Sequence, residues 1–417
     1  MNMRNKLNIG LFGFGVVGNG LYEVLNQSNL LDAQIKKIVV KQPNKQRKIA
    51  KENFSFDKSD ILLDDEINVV VELIDDARAA FLIVSEALKR KKHVVTANKK
   101  MLAENLEELI NLAKENQVSL LYEASVGGSI PIIRNLEEYY NNDSLSAIQG
   151  IVNGTTNYIL SQTNEGKNYE TALAEAQQLG FAESNPTLDV DGFDSKFKLV
   201  LLIKHAFGLI LKPEEVFHYG IRNIKDQDIR YATEKGYRIK LLARAEKLGT
   251  ELAGFVAPHF VKADQAIFNV NNEFNAVTVE ALFSDKQLFL GKGAGAYPTA
   301  SAVLSDISAL QFDYQYEYRK TSEAERLTVN NEFFVKIYLA SSFIEAIQEV
   351  PFYKIDEVFQ SKHYNFQTGW VKFSELKTFN FNALPDLFFA VLPEAFLNEQ
   401  SFSELTEENL FIQVFNN

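Results

Sequence analysis

The chain has 417 residues, 46% of them hydrophobic, which is enough for two or three domains with cores of their own and excludes global disorder. With 43 Lys and Arg against 55 Asp and Glu, the net charge is −12, and this balance argues against a nucleic-acid binder with a basic face. The absence of cysteine excludes disulfides, thiolate metal sites and a cysteine nucleophile.

Five compact runs rich in Val, Ile and Leu head the chain: Leu7–Phe12, Lys37–Val40, Asn68–Leu73, His93–Thr96 and Ser119–Tyr122. Helical patterns such as Ala79–Lys91 and Ala103–Asn116 lie between them, so the spacing predicts βαβ units and an N-terminal Rossmann-type parallel sheet over residues 1–132. After Pro131 the pattern changes. Helices are predicted around Ile132–Tyr140, at Tyr169–Leu179 and at Asp194–Phe207. Strands are predicted around Ala147–Val152 and at Arg238–Ala245, Ala253–Ala257 and Ala276–Ala281, an α+β domain over 133–312. A turn at Gly291–Gly295 leads into an apolar helix, Thr299–Leu310, and 293–312 is expected to pack back on the first domain. Residues 313–326 are polar and aromatic with no apolar period and read as a linker. The remainder, 327–417, holds strand-like Phe333–Leu339 and Trp370–Phe373 amid dense aromatics, and reads as a small C-terminal α+β domain. The best candidate for a membrane span, Leu199–Leu211, is short and broken by Lys204 and His205, so a soluble, cytoplasmic chain is expected.

Gly13-Phe14-Gly15-Val16-Val17-Gly18 is G-x-G-x-x-G, set between a predicted strand and a predicted helix. The first glycine permits a tight turn, the second lets backbone approach a pyrophosphate, and the third allows helix and strand to pack closely. An ordinary strand-to-helix turn is the bland alternative, and the context favours a dinucleotide. NAD would need an Asp or Glu at the end of the second strand for its ribose hydroxyl. Here Val40 is followed by Lys41-Gln42, with Lys45, Arg47 and Lys48 beyond, so NADP is preferred over NAD. A solvated basic loop is the competing reading.

Two further segments carry chemistry. Val94-Val95-Thr96-Ala97-Asn98-Lys99 ends in polar residues at the sheet's carboxyl edge, which lines the ligand crevice in open α/β sheets; it could equally be a loop capped by Asn98. Asp194 and Lys198 are four apart on a helix, share a face and can pair. That helix runs on almost wholly apolar, so its lysine is buried, and a buried lysine sheds charge and can act as acid or base near neutrality. A helix-start ion pair is the structural alternative. The 5 histidines show no metal-ligand spacing, which argues against a catalytic transition metal.

Together the strings GFGVVG, VVTANK, EASVGGSIPII, GIVNGTTNYIL, Gly180–Lys198 and GKGAGAYPTASAV, in order over about the first 310 residues, resemble homoserine dehydrogenase. The resemblance implies an NAD(P)-dependent oxidoreductase that interconverts L-aspartate 4-semialdehyde and L-homoserine in threonine and methionine biosynthesis. It implies that Lys198 donates the proton to the aldehyde oxygen, that Asp194 holds it, and that Lys99 lies near nicotinamide and substrate. Gly13 to Gly18, Lys41, Thr96 and Gly293 would contact the cofactor. Gly154, Thr155, Glu183 and Asp189 would bind substrate, and Glu123 with the carbonyls of Val126, Gly128 and Ile130 would hold a sodium ion. The family also implies a homodimer or homotetramer formed through the second domain. The chain departs from the family at Ile74-Asp75-Asp76 (usually Gly-Gly), Phe181 (often Tyr), Asn185 and Ser129. Its tail sits where some members carry an ACT module, without the usual glycine turn in YLASSF, so a degenerate ACT-like domain is expected. Two other readings stay open: a cofactor-binding protein without catalysis, and an enzyme for another small amino-acid aldehyde or ketone.

Overall fold

The structure is a computed structural model that describes residues 6–28, 31–47, 49–324, 327–379, 381, 384 and 386–406. Lys48 lies outside the described residues. The chain forms two compact units, each assembled from separate stretches. One takes the chain up to Leu145, Phe197–Glu215 and the stretch from Asn275 to Ala324; the other takes Ser146–Lys196, Val216–Phe274 and the described residues from Leu327 on. No helix among the described residues is long and apolar enough to cross a membrane.

The first unit is built on a six-stranded sheet of β1 (Leu7–Phe12), β2 (Ala33–Val39), β3 (Phe54–Ser55), β4 (Val69–Glu72), β5 (His93–Thr96) and β6 (Leu120–Leu121), in the order β3-β2-β1-β4-β5-β6. Every pairing in it is parallel. This is the doubly wound order of dinucleotide-binding domains, with its switch point between β1 and β4. All four residues of β4 are buried, as expected of a strand covered by helices on both faces. The second strand begins at Ala33, earlier than the apolar run at Lys37 indicates, because a parallel neighbour supplies hydrogen bonds to polar residues as readily as to apolar ones. Helix Ala296–Leu310 packs on helix Val16–Gln27, and a Cβ on Gly20 would sit 2.7 Å from the Ala296 carbonyl oxygen. β11 (Phe274–Ala281) and β12 (Asp285–Lys292) are adjacent strands that precede this helix.

From Tyr314 to Lys320 the stretch read as a linker is instead a packed strap. Tyr316 and Tyr318 are buried, and their hydroxyls meet the Tyr122 N–H at 3.3 Å and the Tyr122 hydroxyl at 3.2 Å. The Tyr318 N–H donates to Glu137, and Lys320 donates to the His205 carbonyl oxygen at 3.1 Å. The buried His205 ring joins Glu137 at 2.6 Å and Tyr122 at 2.9 Å, and burial pushes its pKa down. An extended strap anchored by single tyrosines has no helical or strand period, which is why its packing is invisible in the sequence.

In the second unit, β7 (Leu145–Ile151), β9 (Tyr237–Leu248), β10 (Glu251–Lys262), β14 (Phe334–Ser341), β15 (Phe352–Phe359), β16 (Asn365–Lys372) and β17 (Phe388–Val391) form one run of sheet, β7-β9-β10-β17-β14-β16-β15. Short strands β8 (Phe217–His218) and β13 (Thr328–Val329) pair with β10. The C-terminal α+β segment is therefore joined to its predecessor, since β10 and β17 pair in parallel through His259 and Val391. A single core holds Phe255 and Ala257 of β10 together with Phe333, Ile337, Phe373 and Phe389. The aromatic density of the tail fills this shared core, and ring pairs such as Phe333–Phe373 at 4.7 Å stack within it.

Candidate active site

The glycine turn sits at the switch point. Gly13 leaves β1 with φ +94°, and a Cβ there would lie 2.4 Å from the Leu73 carbonyl oxygen at the end of β4. A Cβ on Gly18 would lie 2.4 Å from the Gly13 carbonyl oxygen, so two of the glycines are required by close packing. Gly15 differs: nothing lies within 4 Å of the position its Cβ would take. It is also the N-cap of helix Val16–Gln27, which has no side-chain cap and no acidic residue in its first turn. Unused N–H groups, the helix dipole and open space over Gly15 suit a pyrophosphate. Val16 is exposed, whereas Phe14 packs edge-on against Phe54 at 5.2 Å.

The basic loop after β2 is partly committed to its own structure. Arg47 donates to the Lys45 and Gln42 carbonyls and lies over the Phe54 ring at 5.0 Å, while Lys41 is exposed. Along the carboxyl edge, Glu72 ends β4 fully buried and was not singled out in the sequence. Its carboxylate accepts from the Ile74 N–H at 2.7 Å and the Thr96 hydroxyl at 2.6 Å, and burial pushes its pKa up to about 7. Thr96 in turn accepts from the Asn98 N–H at 3.0 Å, and Asn98 caps helix Lys99–Asn116 through the Met101 N–H at 3.0 Å. The cap reading of Asn98 is thus seen, and it sets Lys99 as the first residue of that helix. In the departure from the family's Gly-Gly, Asp76 caps helix Ala77–Lys89, and Asp75 is exposed.

Glu123 is buried, and its oxygens accept from the Ile133 N–H at 2.8 Å and the Arg134 N–H at 2.9 Å. Burial nevertheless pushes its pKa up. Val126 and Ile130 are buried in the same turn, and the Ile130 carbonyl accepts from the Ile132 N–H at 2.9 Å. Gly128 adopts φ +57°, and a Cβ there would lie 2.5 Å from the Gly293 carbonyl, so this turn and the Gly291–Gly295 turn touch. No group of three His, Asp or Glu that could hold a metal is found among the described residues.

The carboxylates expected to bind substrate lie in the second unit. Asn153 ends the stretch after β7 and donates from its side-chain nitrogen to Asp189 at 2.7 Å and Asp194 at 2.9 Å. Thr155, in the first turn of helix Gly154–Asn164, donates to the Phe181 carbonyl at 2.6 Å, and the Phe181 ring lies against Tyr158. Glu183 is exposed on the following loop, where its backbone carbonyl accepts from Gln177. Asp194 (6% exposed) and Lys198 (7% exposed) stand one turn apart on helix Phe193–Phe207, whose stretch Leu199–Ile203 is completely buried. Lys198 belongs to the first unit with the glycine turn, Lys41, Thr96, Lys99, Glu123 and Gly293; Gly154, Thr155, Glu183, Asp189 and Asp194 belong to the second. Asn153 and Glu72 are the residues that motif reading passed over. The signal for Asn153 was its place in NGTTNY directly after a strand, where Asn is a favoured helix cap.

Comparison with known proteins matches this geometry to one family. Residues 13–123 match the family model described as homoserine dehydrogenase, NAD binding domain, and residues 131–308 match homoserine dehydrogenase. The homoserine dehydrogenase of Bacillus subtilis is 39% identical over 314 residues, covering 73% of this chain and 72% of that protein. Among solved structures, a homoserine dehydrogenase from Thiobacillus denitrificans superposes with a TM-score of 0.81 at 29% identity, covering 93% of this chain and 98% of the other. A hyperthermophilic archaeal homoserine dehydrogenase mutant, solved in complex with NADPH, superposes with a TM-score of 0.64 at 27% identity, covering 75% of this chain and all 100% of that one. Strand order, glycine cradle, buried lysine and sequence identity over nearly three quarters of its length agree: the chain belongs to the homoserine dehydrogenase family.

Proposed function

We propose that the chain interconverts L-aspartate 4-semialdehyde and L-homoserine, with Lys198, Asp194 and Lys99 as its catalytic groups. A bound nicotinamide dinucleotide would supply or accept the hydride. The open cradle over Gly15 and the free helix start at Val16 and Val17 would hold its pyrophosphate, with Gly13, Phe14, Gly18, Thr96 and Gly293 around it. NADP is the preferred form, since Lys41 is exposed, the residues directly after β2 (Val40-Lys41-Gln42) include no carboxylate to receive a ribose hydroxyl, and a structural relative was solved with NADPH. Catalytic efficiency with NADH equal to or above that with NADPH would remove this preference.

Glu183 and Asp189 would pair with the substrate's α-ammonium, and the backbone of Gly154 and Thr155 would fix its other end. As the aldehyde becomes an alkoxide, Lys198 delivers a proton to that oxygen; in the reverse direction it takes the hydroxyl proton away. Asp194, one turn back, aims the ammonium and stabilises it. Glu123 with the carbonyls of Val126, Gly128 and Ile130 would hold a sodium ion. The donor set is all oxygen, as a hard cation requires, and each Glu123 oxygen has a lone pair beyond the one given to a helix N–H. A cytoplasmic homodimer or homotetramer completes the reading.

The observation that supports it most directly is the burial of Asp194 and Lys198 one turn apart on an apolar helix. Lys198→Ala should lower homoserine turnover by about 10²–10⁴-fold and leave dinucleotide affinity unchanged. Turnover close to that of the parent would refute the assignment.

A further inference from the structure

We infer that Asn153 is a positioning residue of this enzyme, holding Asp189 and Asp194 in a fixed mutual arrangement through one side-chain nitrogen. The inference rests on the site reading above and adds a residue to it. Asn153 is 5% exposed, and each polar atom of its side chain has a partner. Its oxygen accepts from the Thr156 N–H at 2.8 Å and the Thr156 hydroxyl at 3.0 Å, which caps helix Gly154–Asn164. That bond fixes which way the amide faces, so both nitrogen hydrogens point to the carboxylates, 2.7 Å from Asp189 and 2.9 Å from Asp194.

The residue type follows from this double duty. Ser, Thr or Asp would cap the helix equally well. Only Asn caps it and also offers two donors to two anions. Without those donors the two neighbouring carboxylates, Asp194 buried and Asp189 half-buried, lose a shared partner and repel each other more strongly. One carboxylate faces the substrate in the proposed site and the other steadies Lys198, so the shared amide helps fix the carboxylate that serves each role. A displacement of about 1 Å at such a site costs about 10²-fold in rate.

Two variants separate positioning from capping. Asn153→Ser keeps a cap oxygen and loses both donors. Asn153→Asp keeps the cap and puts a third carboxylate in place of the amide nitrogen. Asn153→Ser should melt close to the parent and Asn153→Asp somewhat lower, from the added charge, and both full-length proteins should bind NADPH, followed by its fluorescence, with parental affinity. Their kcat/KM for homoserine should fall about 10²-fold. The Asn153→Asp variant should recover part of that loss as pH is lowered, because protonating one of three carboxyl groups restores a hydrogen to share; the Asn153→Ser variant should not. Parental kcat/KM in both variants overturns the inference, as does a loss that tracks a lower melting point and weaker NADPH binding. Asp194→Asn, assayed alongside, tells two failures apart. If it is impaired while both Asn153 variants behave as the parent, the positioning role falls and the site stands. If it too is unimpaired, the site reading falls and the inference with it.

Discussion

Glu72 offers a measurement in which burial is the largest influence. It closes β4 at the carboxyl edge of the parallel sheet, 0% exposed, with one donor on each oxygen. Burial raises its pKa from 4.5 to about 7, against the pull of the Thr96 hydroxyl and the Ile74 N–H. Between those values the folded chain keeps a proton that the unfolded chain has lost. The group's contribution to stability is therefore complete below 4.5 and is lost as pH rises through about 7. Glu72→Gln keeps an acceptor for the Ile74 N–H, can share a hydrogen with Thr96, and stays neutral at every pH. From about pH 5 to about pH 8 the difference between variant and parent should move in the variant's favour by ~2.5 kcal/mol, at up to ~1.4 kcal/mol per pH unit. Urea unfolding followed at several pH values reads this directly. A difference that is flat with pH, or that moves towards the parent, would refute the reasoning.

Other expectations follow from single contacts. Gly15→Ala should lose only a little stability, from a poorer helix cap, and bind NADPH more weakly, because its added methyl enters the open cradle, whereas Gly18→Ala should destabilise by about 1–3 kcal/mol as the methyl meets the Gly13 carbonyl oxygen; thermal melts and fluorescence titrations distinguish the two. Lys41→Ala should raise the KM for NADPH by about fivefold and leave that for NADH alone, the effect of one exposed cation on a phosphate. In the second unit the fully buried Asp228 accepts from the Tyr338 hydroxyl at 2.7 Å and the Tyr364 hydroxyl at 2.8 Å, and burial raises its pKa to about 6. Tyr364→Phe removes one of those donors and should cost about 1–2 kcal/mol in chemical denaturation with no change in dinucleotide affinity.

Much of the first unit is legible from pattern. Strands buried on both faces are near-continuous apolar runs, and β1, β4 and β5 read as such. The G-x-G-x-x-G turn is legible for a similar reason: Gly13 and Gly18 are demanded by backbone contacts that any strand–turn–helix of this kind must make. Glu72 could not be recognised, because nothing in VVVEL distinguishes a fully buried glutamate from one at a solvated strand end. Its role depends on Thr96, 24 residues away on the neighbouring strand. The strap of Tyr314, Tyr316 and Tyr318 was misread as a linker for the same reason, since its partners Ser119, Tyr122, Glu137 and His205 lie far off in the chain.

What local sequence determined here is everything that repeats at the scale of one element: the apolar strands, the glycine turn, the spacing of Asp194 and Lys198 on one helical face. What only the tertiary structure decided is which distant groups share a buried space. It joined the aromatic tail to β10 in one core, and it put Asn153 between two carboxylates 36 and 41 residues along the chain. The physical reason is that periodicity reports how one element meets its surroundings, whereas a hydrogen bond between buried groups depends on what the rest of the chain places opposite.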